Sequence, residues 1–313
     1  MILDALTELL KDETAGDPVS GVKWTRKTVR RLTKELKRTF NVSRETVRRL
    51  AISLGYRLRS NRKRLTRKQD PKRDRQMRYI IRRRRAAIRA GKPVISVDTK
   101  HREMVGRFKN AGRTWRRTPV EVMDSDYPSD AVGVAIPYGI YDITNNRGYV
   151  VVGSSCQTPE FAVNSIRAWW VNEGKQRFPD VESLLIEADG GNPNSYRSHR
   201  FKYALQKFAN VHRLVVTVCH YPTGASKWHP IEHRLFSQIS NNWHGTPLTS
   251  FEVVMNFIRT TRTDNGLRCR AERDERIYKT KIPITKEQKE SIKLHPHRIH
   301  PEWNYTIRPV TIH

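Results

Sequence analysis

Positive charge is distributed very unevenly along this chain, and that unevenness limits what it can fold into. Between Gly21 and Ala90 there are 27 Lys and Arg against four Asp and Glu, a net of +23 out of +29 for all 313 residues. The first twenty residues are acidic, at −4, and the remaining two thirds carry only +10. A seventy-residue stretch this repulsive cannot form the core of a large domain, so the sequence divides into a basic N-terminal module and a more ordinary globular one. Seven Trp and 9% aromatic residues exclude a wholly disordered basic tail. The excess of cations calls for a polyanionic partner, and nucleic acid is the natural one.

Apolar runs such as Val132–Tyr141 reach about half of the roughly 20 residues a membrane-spanning helix needs. Met1–Leu10 contains Asp4 and Glu8 and lacks the basic start of a signal peptide. Three widely spaced cysteines, Cys156, Cys219 and Cys269, fit a reducing compartment. The expected location is the cytoplasm, in association with the nucleoid, without a membrane partner.

The basic module is patterned as helices. Val29, Leu32 and Leu36 fall at helical spacing within Thr25–Arg38, and Asn41-Val42 interrupts. Ser43 caps a second helix with Val47, Leu50 and Leu54 as its apolar stripe, and Gly55 ends it. With the apolar Met1–Leu10 segment, residues 1–60 read as an all-α helix-turn-helix module. Its recognition helix would offer Arg44, Thr46, Arg48 and Arg49 to bases or phosphates. Residues 61–90 read as a basic linker and helix, with Arg62, Lys63, Arg64, Arg82 and Arg83 placed along phosphates.

From Lys92 onward strands and helices alternate. Pro93–Asp98 reads as a buried strand, Ile136–Ile143 and Gly148–Ser154 as a hairpin turning at Asn145-Asn146, and Pro159–Asn172 as a helix capped by Thr158. A strand at Leu184–Asp189, a helix near Ser198–Asn210, a strand at Arg213–Cys219 and a helix from about Lys227 to Asn241 follow. An antiparallel meander continued by parallel crossovers is an α/β mixed sheet with flanking helices. The domain is expected over 91–245, with a C-terminal helix and basic tail over 246–313; His295, His297 and His300 read as part of that tail.

Asp98 and Asp189 each end a strand, and parallel neighbours would bring both carboxylates to one sheet edge. Ile231, Leu235 and Ile239 form a core stripe on the last helix, with Glu232 at its margin. Three converging carboxylates repel unless a divalent cation is present, and two Mg²⁺ (or Mn²⁺) ions per site would suit phosphodiester chemistry. Lys100 and Lys227 lie close by in sequence as phosphate contacts. Glu187 shares a strand face with Asp189 and is the rival for its place. Cys219, His220, His229 and His233 offer a zinc reading, weakened by the lack of a C-x-x-C partner. Alternatively, His220 orients the catalytic loop. Trp169, Trp170 and Trp228 read as core aromatics. Trp115, among arginines in the irregular 102–117 insert, is a candidate for stacking on a base.

The motifs SVDTK (Ser96–Lys100), FKN (Phe108–Asn110), AIPYGIYD (Ala135–Asp142), ADGG (Ala188–Gly191), CHYPTGASKW (Cys219–Trp228) and IEHRLFS (Ile231–Ser237) occur in one order. DPVSGVKWTRKTVR (Asp17–Arg30) and NYTIRP (Asn304–Pro309) extend the pattern over nearly the whole chain. Together they resemble the DDE transposases of bacterial insertion sequences, specifically the Rhodopirellula-type family. The resemblance implies a ribonuclease-H-like fold with Asp98, Asp189 and Glu232 as the acidic triad, spaced by 91 and 43 residues. It also implies Mg²⁺-dependent cleavage at element ends, transfer of the freed 3′-hydroxyl to target DNA, and a homo-oligomer in the synaptic complex with double-stranded terminal-repeat and target DNA. Glu187 departs from the small or hydroxyl residue usual before Ala-Asp. Two other functions use the same residues: a copy that binds terminal repeats without cutting, and a nuclease on the same fold.

Overall fold

The computed structural model describes residues 1–12, 14–16, 23–25, 27–57, 71–225 and 228–310. It divides into two compact units, Met1–Leu65 and Thr66–His313.

In the first unit α1 (Ile2–Asp12) is followed by two short antiparallel strands, β1 (Thr14–Gly16) and β2 (Lys23–Thr25), then by α2 (Val29–Leu36) and α3 (Arg44–Ser53). The all-α expectation is therefore corrected by one small hairpin. Thr25 belongs to that hairpin, and α2 begins only after Thr28, whose side chain accepts the Arg31 amide. Ser43 caps α3 in the same way, through the Thr46 amide at 3.0 Å. Leu6, Leu10, Leu32, Leu36, Val42 and Val47 close a core between the three helices. Gly55 takes φ +85° just past α3, a conformation that favours glycine.

The second unit opens with α4 (Arg73–Arg89), then β3 (Val94–Thr99), β4 (Glu103–Val105), β5 (Gly133–Asp142) and β6 (Arg147–Gly153). Next come α5 (Pro159–Trp169), which runs through a π-helical turn into α6 (Lys175–Arg177), then β7 (Ser183–Ala188), α7 (His199–His212) and β8 (Val215–His220). The π-helical turn Glu232–Phe236 leads into α8 (Ser237–Asn242), and α9 (Phe251–Thr260), β9 (Arg268–Asp274), α10 (Lys286–Glu290), β10 (Leu294–Pro296) and β11 (Asn304–Ile307) complete the unit. The sheet order is β10-β11-β8-β7-β3-β5-β6-β9, with β4 on β5. β3, β7 and β8 are parallel, as are β6 and β9, and the other pairs are antiparallel. Its centre, the β6-β5-β3 meander continued by β7 and β8, is the ribonuclease-H-like mixed sheet expected.

Alternation along the strands sorts the core into two faces. Ile95, Val97, Leu184 and Ile186 pack with Phe161, Ile166 and Trp169 of α5 and Phe201 and Leu205 of α7. On the other face Val94 and Leu185 meet Tyr79 and Ile80 of α4. Further along that face Tyr141, Val150 and Val152 meet Ile231, Leu235 and Ile239. Asp98 and Glu187 have the parity of this second face. Asp142 ends β5 and accepts the Thr144 and Asn145 amides, which starts the turn in which Asn146 takes φ 54°.

Two expectations about the ends of this domain are overturned. Residues 246–313 are not a helix and tail, because β9 extends the sheet beside β6 and the β10–β11 pair extends it beside β8. His297 is held there by the Tyr79 hydroxyl (2.7 Å) and Thr306 (2.8 Å). Nor is α4 a linker. Gln76, fully buried, exchanges amide hydrogen bonds with Asn304 and donates to the His220 carbonyl. Arg84 turns inward from the four-arginine run, and its Nε donates to the buried Glu187 carboxylate at 2.7 Å while Nη2 donates to Glu187 and to Tyr221. Arg82, Arg83 and Arg85 stay exposed. Among the described residues no helix is long and apolar enough to cross a membrane.

Removing the guanidinium strands a buried carboxylate. Arg84→Ala should destabilise the second unit by about 3–5 kcal/mol, and Glu187→Gln, which leaves a partly solvated arginine, by clearly less. Guanidinium denaturation checks this, and an Arg84→Ala loss below about 1 kcal/mol would contradict the anchoring role.

Candidate active site

Strand register brings the first two carboxylates together. Val97 pairs with Ala188 across the parallel β3–β7 ladder, so Asp98 and Asp189 leave the sheet at the same edge. Asp98 Oδ1 accepts the Thr99 amide at 2.7 Å, and Asp189 Oδ2 accepts the Gly191 amide at 3.1 Å. The other Asp189 oxygen, Oδ1, is buried without a hydrogen-bond partner, as is Nδ2 of the neighbouring loop residue Asn194.

Glu232 reaches this edge through the π-helical turn. Gly139 of β5 lies directly across from Asp98, and a Cβ there would stand 2.5 Å from Phe236 and 3.0 Å from Ile231. The turn can approach the strand this closely only because residue 139 has no side chain. Farther along the same face, Gly148 makes similar room for Leu235. The expected regular helix over 227–241 is thus a turn of wider pitch, and it keeps Ile231, Leu235 and Phe236 all buried while Glu232 remains half-buried.

Electrostatics show that the three groups share one environment. Burial, then the charge of Asp98, pushes the Asp189 carboxyl up to about 6. The same two causes raise Glu232. His229, fully buried, has Nδ1 at 3.3 Å from Asp98 Oδ2 and packs on the Tyr221 ring. Burial alone would lower this imidazole, but the Asp98 carboxylate outweighs it and the net shift is upward. His220 is also fully buried, and burial pushes it down to about 4, so it is neutral. A carbonyl can only accept, so its Nδ1 donates to the Asp189 carbonyl (2.9 Å) and its Nε2 accepts from the Tyr305 hydroxyl (3.2 Å). His220 therefore orients the loop that carries Asp189, one of the two roles open to it from sequence.

Hard oxygen donors that repel one another, one of them unpartnered, fit a divalent cation. Among the described residues no three His, Cys, Asp or Glu side chains already form a closed ligand set, zinc included. Cys219 is a buried thiol that burial pushes up, away from the reactive range.

Glu187 does not compete for the place of Asp189, since it is fully buried beneath α4 and bound to Arg84 and Tyr221. Lys100, expected to contact nucleic acid, is instead buried; its ammonium lies 2.7 Å from Glu103 and 4.4 Å from the Trp243 ring centre. Trp228, expected in the core, is 46% exposed with the Arg73 guanidinium over its ring, whereas Trp169 and Trp170 are buried as expected. Arg62, Lys63, Arg64 and Lys227 lie outside the described residues. On α3, Arg44 and Arg49 are exposed, Arg48 is paired with Glu45 at 2.6 Å, and the Thr46 hydroxyl meets Ser43 within the cap. Arg44 and Arg48 border a groove of about 820 Å³ in the first unit. Sequence reasoning missed Gly139, His229 as a neighbour of Asp98, and Arg84. An isolated glycine in a strand run was the available signal for the first.

A family model described as the Rhodopirellula transposase DDE domain matches residues 5–309. No curated protein matches the chain. Similar solved structures include a Mos1 transposase paired-end complex with left transposon end (13% identity, 82% of this chain and 69% of that one, TM-score 0.43). Another is the Mos1 strand transfer complex (12%, 82% and 68%, TM-score 0.45), and a third is a mariner Mos1 paired end complex with Mg (12%, 82% and 69%, TM-score 0.44).

Without a cation, Asp189 keeps its proton up to about pH 6, whereas the unfolded chain releases it near 3.8. Between these values the native state binds more protons, so this contribution is complete below about pH 4 and is lost as pH rises through 6. Asp189→Asn should match the parent near pH 4 and exceed it by up to about 3 kcal/mol at pH 7 in chelator. Guanidinium unfolding at the two pH values is the check; an unchanged difference would contradict the shared environment.

Proposed function

Because the chain belongs to the Rhodopirellula transposase DDE-domain family, and is thereby a DNA transposase, we propose that Asp98, Asp189 and Glu232 form the site that cuts element ends and joins them to target DNA. The observation that carries this reading is the common electrostatic environment of three carboxylates from distant parts of the chain. Repulsion among them has no structural benefit, and a cation-binding role accounts for it.

Asp98, Asp189 and Glu232 would hold Mg²⁺ or Mn²⁺, two ions per site. When bound, such a pair supplies a lowered pKa for an attacking hydroxyl and charge neutralisation at the phosphorus. The protein's own part is positional. The sheet edge fixes the two aspartates, His220 fixes the backbone carbonyl of Asp189, and Gly139 sets how near Glu232 comes. His229 stands against the outer oxygen of Asp98 and restricts its rotation. Water would attack first at the element end, and the freed 3′-hydroxyl would then attack target DNA. Neither step needs a covalent protein–DNA bond.

DNA capture falls to the basic surfaces. Arg44 and Arg49 on α3 would read the terminal repeats, and Arg82, Arg83 and the 61–64 run would neutralise phosphates. Joining two ends calls for more than one copy of the chain, so a homo-oligomeric synapse is part of the proposal.

Purified protein with labelled terminal-repeat DNA, target plasmid and Mg²⁺ tests the reading. Asp98→Ala and Glu232→Gln should abolish nicking and joining while binding repeat DNA normally. Undiminished chemistry in both would reject the triad, and binding without chemistry in the parent would favour a non-cutting copy. Gly139→Val, which keeps all three carboxylates but pushes the 231–236 turn away, should also lose strand transfer. Repeat-DNA affinity should fall steeply with salt, by roughly 10³-fold or more between 50 and 200 mM if six or more phosphates are contacted.

A further inference from the structure

One large side chain has no place in the packing. Trp115 is fully exposed, at 105% of its reference area, in a stretch, Ala111–Val120, that is exposed throughout. An indole left in water presents a large apolar face that the rest of the fold does not use. Around it, Arg107, Lys109, Arg113, Arg116 and Arg117 occur within eleven residues that contain no acidic group.

The segment is nonetheless fastened on both sides of the indole. Asn110 donates from its amide to the carbonyls of Trp243 (3.2 Å) and Thr246 (3.1 Å), and the Gly245 amide donates to the Ala111 carbonyl (2.7 Å). Gly112 lies so close to the His244 ring that a Cβ would stand 2.2 Å from it. Beyond the indole, Arg116 donates to Thr114 (2.7 Å) and to Thr246 (2.6 Å). Trp243, to which Asn110 is bound, also carries the Lys100 ammonium over its ring, and Lys100 is two residues past Asp98. The anchored base of the loop therefore borders the carboxylate site.

We infer that Trp115 is a stacking platform for an unpaired DNA base beside the reacting phosphate, with the surrounding arginines and Lys109 neutralising the flanking phosphates. Cations without acids exclude an acidic-patch or apolar protein ligand as the better fit and favour a polyanion. An intact duplex hides its base faces, whereas a frayed end or an extruded nucleotide exposes one to an indole. The inference deepens the proposed function and rests on it for its purpose, although the binding itself needs no catalysis.

The test is fluorescence anisotropy of the full chain, in EDTA, with a labelled oligothymidine of about twenty nucleotides and a blunt duplex of the same length. Trp115→Ala should weaken oligothymidine binding about tenfold, Trp115→Phe should retain most of it, and duplex affinity should be unchanged in both. Asp98→Ala should bind the oligothymidine like the parent, so failure of the triad and failure of the platform give different results. Equal oligothymidine affinity in Trp115→Ala, an equal loss on duplex, or no oligothymidine binding by the parent would overturn the inference. So would a change in sedimentation of Trp115→Ala, which would assign the loop to contact between copies.

Discussion

Parallel pairing of β3 with β7 is the constraint on which the rest of the site depends. Val97 opposite Ala188 sets both aspartates at one sheet edge, and a slip of one residue would send either of them to the opposite face. The register is held by burial on two faces at once: Ile95 and Val97 against α5 and α7, Val94 against α4. A strand buried on both sides has no alternative pairing that keeps its apolar residues covered. Placing two like charges side by side costs stability, and the central strands of a large sheet can bear that cost.

The third carboxylate has a different origin. Glu232 comes from a helical turn that reaches β5 because two glycines, Gly139 and Gly148, leave hollows for Phe236, Ile231 and Leu235. Apolar contact, not attraction between charges, therefore delivers Glu232 to a place where burial and Asp98 both oppose its ionisation. The site is assembled by hydrophobic packing against its own electrostatics, which is the arrangement expected where a strongly charged ligand is to be received.

Much of this was readable from sequence because it follows periodicity. The meander, the crossovers, the caps Thr28, Ser43, Thr158 and Ser198 and the two strand-end aspartates are all short-range patterns. What was not readable depends on partners distant in the chain. The arginine run 82–85 looks uniform, yet Arg84 alone meets a carboxylate 103 residues away. Lys100 looks like a phosphate ligand until Glu103 and Trp243 are seen to enclose it. Residues 286–307 are polar and proline-punctuated, so their two strands are invisible without the β8 edge that receives them. Glu187 seemed out of place before Ala188-Asp189, and only the folded chain shows the counterion that accounts for it.

The inward turn of Arg84 has a mechanical meaning. α4 cannot lift from the sheet without leaving Glu187 charged and dry two residues from Asp189, and the Gln76–Asn304 pair closes the other end of the same helix. Arg78, Arg82, Arg83, Arg85 and Arg89 are thus mounted on a rigid bar about 25 Å long, seventeen residues at 1.5 Å each. Each keeps a constant span to the carboxylates. Phosphates seated along the bar would be measured off against the bond to be broken, which makes the helix a gauge for how far from a protected stretch of DNA the cut falls.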